Sequence, residues 1–351
     1  MGRDRPPTAQ RVGVIGAGAW GTALARHLAR KGLPVTIWAY EADVVESINR
    51  QRENHRFLPG VALPPALSAT NRLAEAVRDR DWLLFAVPSH AARAVLRQLG
   101  PLLAHPVPVV SATKGIEEET LQVMTQVMHE TLPSATHPLL AVLSGPSFAA
   151  EVCQDQPTAV TLACRDELVG RSLQEALITP LFRVYASGDL VGVQLGGALK
   201  NVMALAAGIV EGLGLGHNAL AALITRGLAE MKRLGVAMGA DPRTFYGLSG
   251  IGDLVLTCTG ALSRNRQVGI RLGRGERLDD ILKDMQAVAE GVRTSQAALG
   301  LAERHGVEVP IVREVCAVLF EHKPCAKAVT DLMERAAKAE TEASPSGGGR
   351  A

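Results

Sequence analysis

The feature that most limits what this chain can fold into is a glycine-rich turn near its start. Residues 11–15 (RVGVI) form a short apolar run with β-branched members, which reads as a buried strand. The segment GAGAWG, residues 16–21, follows at once. Residues 22–31 then show amphipathic helical periodicity that stops at Gly32, and residues 35–39 (VTIWA) make a second apolar run. Strand, GxGxxG, helix and strand in that order form a dinucleotide-binding unit. Gly16 permits the tight turn, Gly18 lets backbone approach a pyrophosphate, and Gly21 lets the helix pack on the strand. The helix N-terminus turns free N–H groups and a positive dipole end towards the anion.

Further strands continue this pattern. Residues 81–87 (DWLLFAV) and 107–112 (VPVVSA) are apolar runs ending in PSH and TKG. Ligands sit outside the carboxyl ends of strands in open parallel sheets, which places Pro88, Ser89, Thr113 and Lys114 at the crevice. A solvated loop lysine is the plainer reading of Lys114. Residues 139–143 form another strand, followed by SGPSFAAE, residues 144–151. There Gly145 and Pro146 shape a turn, and Ser147 is expected to begin a helix, as an anion-facing start or as an ordinary cap. Residues 158–163 and 182–186 are two more strands. After the second strand, an acid would bind a ribose 2′-hydroxyl and an arginine a 2′-phosphate. Tyr40 and Glu41 stand there, so NAD and NADP both remain open.

Near residue 190 the texture changes to alanine- and glycine-rich helical periodicity. The expected architecture is a Rossmann-type doubly wound α/β sheet over residues 11–189 and an all-α domain over 190–338. A flexible start (1–10) and a disordered tail (339–351, with SPSGGGR) flank them. Residues 190–210 (LVGVQLGGALKNVMALAAGIV) hold a single charge, Lys200. Helical spacing puts Gly196, Gly197, Ala204 and Ala207 on its face, with Met203 beside them. An ammonium there loses water, and desolvation lowers a lysine pKa towards neutrality. That suits a proton donor and acceptor working near neutral pH. Asn201 follows, placed to hold a substrate hydroxyl or the lysine. A core helix whose lysine reaches the surface is the bland alternative. A membrane span is not, because a central lysine costs about 2.5–3.5 kcal/mol on insertion.

Downstream, residues 218–234 read as one long helix, and Asp241-Pro242 starts the next. Residues 247–260 (GLSGIGDLVLTCTG) carry one acid, Asp253, which is either a cap or something more. SRNR, residues 263–266, offers a guanidinium fork from Arg264 with Ser263 and Asn265 beside it, either a phosphate site or a solvated basic turn. AVAEGVRT, residues 287–294, sets Val288 and Glu290 beside Gly291.

Composition closes off other classes. The net charge is +2 and aromatics are 3%, too few for base-stacking platforms, so no nucleic-acid partner is expected. The five cysteines form no CxxC, which suits reduced thiols in a cytosol. No HExxH or comparable cluster suggests a metal. The first residues, MGRDRPPTAQR, hold no apolar signal core.

Taken together, GAGAWGTALA, VPSH, SATKGIE, SGPSFAAE, GVQLGGALKNV, ALITRGLAEM, GDLVLTCT, SRNR and VAEGVRT resemble NAD(P)-dependent glycerol-3-phosphate dehydrogenases of the bacterial type. The resemblance runs from about residue 11 to 336. It implies interconversion of dihydroxyacetone phosphate and sn-glycerol 3-phosphate with NAD(P)H, feeding glycerophospholipid synthesis, and a cytoplasmic homodimer. Residue by residue, it implies that Lys200 is the catalytic proton acceptor. Lys114, Gly145, Ser147, Lys200, Asp253, Ser263, Arg264 and Asn265 would contact substrate, with Asn201 and Thr257 nearby. Gly16, Gly18, Ala19, Trp20, Gly21, Tyr40, Lys114, Ala149, Arg264, Val288 and Glu290 would contact the cofactor. Relatives often carry histidine or arginine where Tyr40 stands. Two rivals are a β-hydroxyacid or 6-phosphogluconate-type dehydrogenase, which lacks SGPSFAAE and SRNR, and a non-catalytic NAD(H) sensor, which would need an effector module.

Overall fold

The computed structural model describes residues 10–285, 289–337 and 339–340. Val288, nearly all of the expected flexible start and most of the expected tail lie outside the described residues. Eight strands form one sheet: β1 (Val12–Ile15), β2 (Val35–Trp38), β3 (Leu67–Thr70), β4 (Trp82–Phe85), β5 (Val109–Ser111), β6 (Leu140–Ser144), β7 (Thr158–Cys164) and β8 (Phe182–Ser187). Their order is β3-β2-β1-β4-β5-β6-β7-β8. Only β6 and β7 run antiparallel. Successive residues of a strand feed opposite layers. Val14, Leu84 and Val110 pack on one face, and Ile15, Phe85 and Val109 on the other. Both faces are covered, which is why these strands read as continuous apolar runs. The strand order reverses between β1 and β4, the place where such sheets bind ligands.

The first helix spans Ala19–Arg30 rather than starting at residue 22. Gly18 is its extended N-cap, so Ala19 and Trp20 already lie in the first turn, and the glycine turn feeds straight into the helix. The long helix is His217–Ala237, slightly longer than expected, and Asp241 does cap Pro242–Tyr246 by accepting from Arg243 N at 2.9 Å.

From Leu190 the chain is helical and wraps around Leu190–Gly212, of which nearly every residue is buried. This helix is long and apolar enough to cross a membrane by composition, but its most apolar window is wholly buried inside the protein. Asp189 caps it, accepting from Gly192 N at 2.8 Å, and also holds Asp241 N and Thr244 Oγ1. Ile116 and Val123, from the segment after β5, pack into the helical core rather than under the sheet.

Two glycine pairs, Gly208 with Gly269 and Gly212 with Gly273, bring the central helix against Arg264–Gly273. A Cβ on Gly208 would lie 2.1 Å from the Arg266 carbonyl oxygen, and one on Gly269 2.1 Å from that of Leu205. Backbone cannot yield as a flexible side chain does. Gly208→Ala and Gly269→Ala should each cost about 1–3 kcal/mol, the range for overpacking. Thermal denaturation against Gly188→Ala, where a methyl meets open space, checks this. Equal melting temperatures for all three would remove the close crossing as a requirement of the fold.

Candidate active site

Lys200 sits in the middle of the buried central helix and is only 6% exposed. Its Nζ donates to Asp253 Oδ1. Lys114 Nζ donates to the other oxygen, Oδ2, at 2.8 Å and to the Gly145 carbonyl at 3.2 Å. One fully buried carboxylate therefore serves two ammonium groups from opposite halves of the chain. Asp253 opens the helix Asp253–Thr259 but makes no capping bond, so the cap reading gives way to a shared counter-charge. Thr257 Oγ1 braces it, donating to the Asp253 carbonyl at 2.6 Å and lying 3.4 Å from Oδ1.

Gly196 and Gly197 make this meeting possible. A Cβ on Gly197 would come within 2.5 Å of Ser144 Oγ and 3.6 Å of Lys114 Cγ. On Gly196 it would strike the Ser249 carbonyl at 2.1 Å. Without side chains at these positions, the end of β6 and the turn before Asp253 close on the lysine from both sides. Burial pushes the Lys200 pKa down to about 7. Asp253 pulls it up and Lys114 pushes it down again, and desolvation wins.

A chain of amides begins at Asn201, the next residue along the helix. Asn265 Nδ2 donates to Asn201 Oδ1 at 3.0 Å, and Asn265 Oδ1 accepts from Gly291 N at 2.9 Å. Asn265 thus joins three helices, which pairwise spacing in SRNR did not foretell. Ser263 is a helix cap rather than part of a solvated turn, accepting from Arg266 N at 3.3 Å. Arg264 beside it is exposed, and its charge acts on Glu290. Burial raises the Glu290 carboxyl to about 7, against the pull of Arg264 and of a hydrogen bond from the Ser89 backbone.

The glycine turn is built as a cradle. Gly16 adopts φ +110°, and a Cβ there would meet the Ala86 carbonyl at 2.8 Å. Gly21 would strike the Gly16 carbonyl at 1.9 Å, whereas a Cβ on Gly18 meets nothing within 4 Å. Close packing on one side and open space on the other is what a diphosphate lying on the turn requires. Trp20, packed towards Ala149 and Leu58, keeps a buried Nε1 that makes no hydrogen bond among the described residues. Those features fit a bound dinucleotide. Tyr40, just beyond β2, is 83% exposed, and Glu41 beside it is half-buried.

A further expectation changes here, and one residue was missed. Ser147 does not begin a helix: the helix is Ala149–Cys153, and Ser147 Oγ donates to the Gly145 carbonyl at 2.9 Å. Phe148 is the extended N-cap of that helix, so Ser147 lies before its start. The missed residue is Asn54, fully buried, which donates to the Ala17 carbonyl and to Thr22 Oγ1, both at 2.8 Å. It pins the glycine turn from behind, yet no motif surrounds it. Among the described residues no group of three or more His, Cys, Asp or Glu side chains is arranged to hold a metal.

Comparison with known proteins agrees with this geometry. Residues 11–169 match the sequence model of the NAD-dependent glycerol-3-phosphate dehydrogenase N-terminus, and residues 189–330 that of its C-terminus. A glycerol-3-phosphate dehydrogenase [NAD(P)+] of Geobacter sulfurreducens is 58% identical over 94% of this chain and 99% of its own. One from Myxococcus xanthus is 52% identical over 94% and 98%. The crystal structure of the Coxiella burnetii glycerol-3-phosphate dehydrogenase superposes with a TM-score of 0.90 at 39% identity, covering 94% of this chain and 100% of that one. A D-mandelate dehydrogenase, 12% identical with a TM-score of 0.58, shares the fold alone.

Proposed function

This chain belongs to the NAD-dependent glycerol-3-phosphate dehydrogenase family, and from that premise we propose that Lys200 is the residue that moves the proton in its reaction. The enzyme is an NAD(P)-dependent oxidoreductase that interconverts dihydroxyacetone phosphate and sn-glycerol 3-phosphate. Bound NAD(P)H supplies the hydride. The observation that carries the assignment is the buried Lys200 ammonium on Asp253, within reach of a second lysine.

In reduction, Lys200 gives its proton to the ketone oxygen as carbon 2 is reduced, and Asp253 holds the ammonium in place. In oxidation, neutral Lys200 takes the proton from the hydroxyl. Lys114 donates to the oxygen as negative charge develops on it. Arg264, with Ser263 and the remaining amide N–H of Asn265, receives the substrate phosphate. Gly145, Ser147, Asn201 and Thr257 line the same space. Gly16, Gly18 and Gly21, with the start of Ala19–Arg30, hold the pyrophosphate, and Ala19, Trp20, Tyr40, Lys114, Ala149, Arg264, Val288 and Glu290 complete the cofactor contacts.

The division into a dinucleotide-binding half, residues 11–189, and a helical half, residues 190–338, belongs to the same proposal. So do a homodimeric state and a cytoplasmic role supplying glycerol 3-phosphate for glycerophospholipids. The five unpaired cysteines support a reducing compartment.

Steady-state assays with dihydroxyacetone phosphate and each cofactor test the activity, with hydroxyacids as the rival panel. The pH profile tests Lys200. With its pKa near 7, kcat/KM for glycerol 3-phosphate oxidation should rise as pH climbs through about 7, where the lysine becomes a free base. Reduction should fall over the same interval. A flat profile across neutrality removes Lys200 from this role.

A further inference from the structure

Lys114 reaches the reaction centre from a loop, residues 113–123, between β5 and the helix Met124–Thr131. A lysine head on a four-carbon stem is only as well placed as the backbone beneath it. Gly115 follows it directly and contributes no side-chain packing. A Cβ there would lie 2.5 Å from Ser89 Oγ, so the loop runs hard against the start of the helix Ser89–Leu99. Ahead of Lys114, Thr113 Oγ1 donates to the Val87 carbonyl at 2.8 Å. Behind it, the anchor is Glu117.

One turn beyond Ser89 on the same helix, Arg93 grips that carboxylate with two nitrogens. Nε lies 2.8 and 3.0 Å from the two oxygens, and Nη2 lies 2.7 Å from Oε2. Arg93 Nη2 also donates to Gln122 at 2.8 Å, and Nη1 to Glu130 at 2.7 Å. The side chains of Arg93 and Glu117 are only 17% and 10% exposed, so water screens this pair little. The far end of the loop is clasped by the helical half. Arg304 donates to the Thr120 carbonyl at 3.0 Å, Arg293 to Glu118 at 3.3 Å, and Leu121 packs on Gly300. Among the described residues Arg93 bonds Glu117, Gln122 and Glu130, and not Lys200, Asp253 or the cradle.

We propose that Arg93, acting through Glu117, is a positioning residue that sets where Lys114 meets Asp253 and the substrate oxygen. The inference rests on Lys200 and Lys114 acting as assigned above. The helix start that carries this clamp also gives its Ser89 N–H to Glu290, so the substrate lysine and a cofactor-contacting carboxylate hang from one element.

The test uses Arg93→Met, Arg93→Ala, Arg93→Lys and Glu117→Gln in the full-length enzyme. Expected is a loss of about tenfold in kcat for dihydroxyacetone phosphate, since a misplacement of about 1 Å costs up to about 10²-fold, with a smaller rise in KM for NADH because Lys114 and Glu290 also face the cofactor. Arg93→Lys should recover only part, because an ammonium cannot make the fork. Added guanidinium should restore part of the activity of Arg93→Ala. The pH profile gives a signature that mere loosening of the fold does not. Lys200 is faced by Asp253, Lys114, Glu290 and Cys258, and of these Lys114 holds its pKa down. If Lys114 drifts, the limb of the oxidation profile moves to higher pH, the direction expected of Lys114→Met. Should Arg93→Met not fold, Glu117→Gln reads the same quantities. Folded variants with wild-type kcat, or with a lower melting temperature but an unmoved limb, overturn the inference. A Lys200→Met enzyme that keeps its activity would instead overturn the assignment beneath it.

Discussion

Lys200→Met should lower kcat in both directions by about 10²–10⁴-fold, the usual worth of a positioned general acid–base. KM for NADH should barely change, because the glycine cradle and its pins, Asn54 and Thr22, lie on other elements. Methionine keeps a long unbranched stem and suits a buried helix. Asp253 would still hold Lys114, so the carboxylate is not stranded and the fold should survive. The residual rate should also lose its inflection near pH 7. Circular dichroism shows that the variant is folded, and single-turnover rates with saturating NADH separate chemistry from product release. A folded variant with a wild-type rate would mean that another group carries the proton. Lys114 is then the first to examine, since it shares the same carboxylate.

What was legible in the sequence follows from what pattern can encode. The glycine turn is a local code: each glycine answers a contact within a few residues or on the next strand, so Gly16 and Gly21 show up in the spacing itself. Lys200 was legible because a lone charge in a long apolar run violates the rule for buried surfaces. β3 was not, because LSAT is a four-residue edge strand with Ser68 exposed, too short and too polar to stand out. The antiparallel turn of β7 is equally silent, since a buried strand reads the same in both directions. Asn54, Arg93 and the bridging of Asn265 depend on partners 24 to 64 positions away, and no periodicity announces such pairings. Asp253 fell between: its lone acidity was visible, but not that one carboxylate serves Lys114 as well as Lys200.

That shared carboxylate carries the other large expectation. Asp253→Asn keeps the shape but removes the one carboxylate that, among the described residues, bonds Lys200. Breaking a buried ion pair from one side costs about 3–5 kcal/mol, because the remaining charge stays desolvated. The sign with pH can be worked out. An unfolded lysine keeps its proton to about 10.4, while native Lys200 releases it at about 7. Native protein therefore binds fewer protons in between, and stability climbs with pH across that interval. Asp253 holds the native pKa up, so without it the native pKa drops further and the climb begins at lower pH. The gap between wild type and variant is then widest below about pH 7, where wild-type Lys200 is still charged, and narrows as pH rises through it. Melting temperatures of the two proteins on either side of neutrality read this gap directly, and an equal gap at both would sink the account. Activity should move in the matching sense. Lys200 would be neutral at pH 7, so ketone reduction should collapse, and the limb of the oxidation profile should shift to lower pH. That is opposite to the shift expected when Lys114 is loosened through Arg93, so the two variants together separate a carboxylate that holds the proton on Lys200 from a lysine that drives it off.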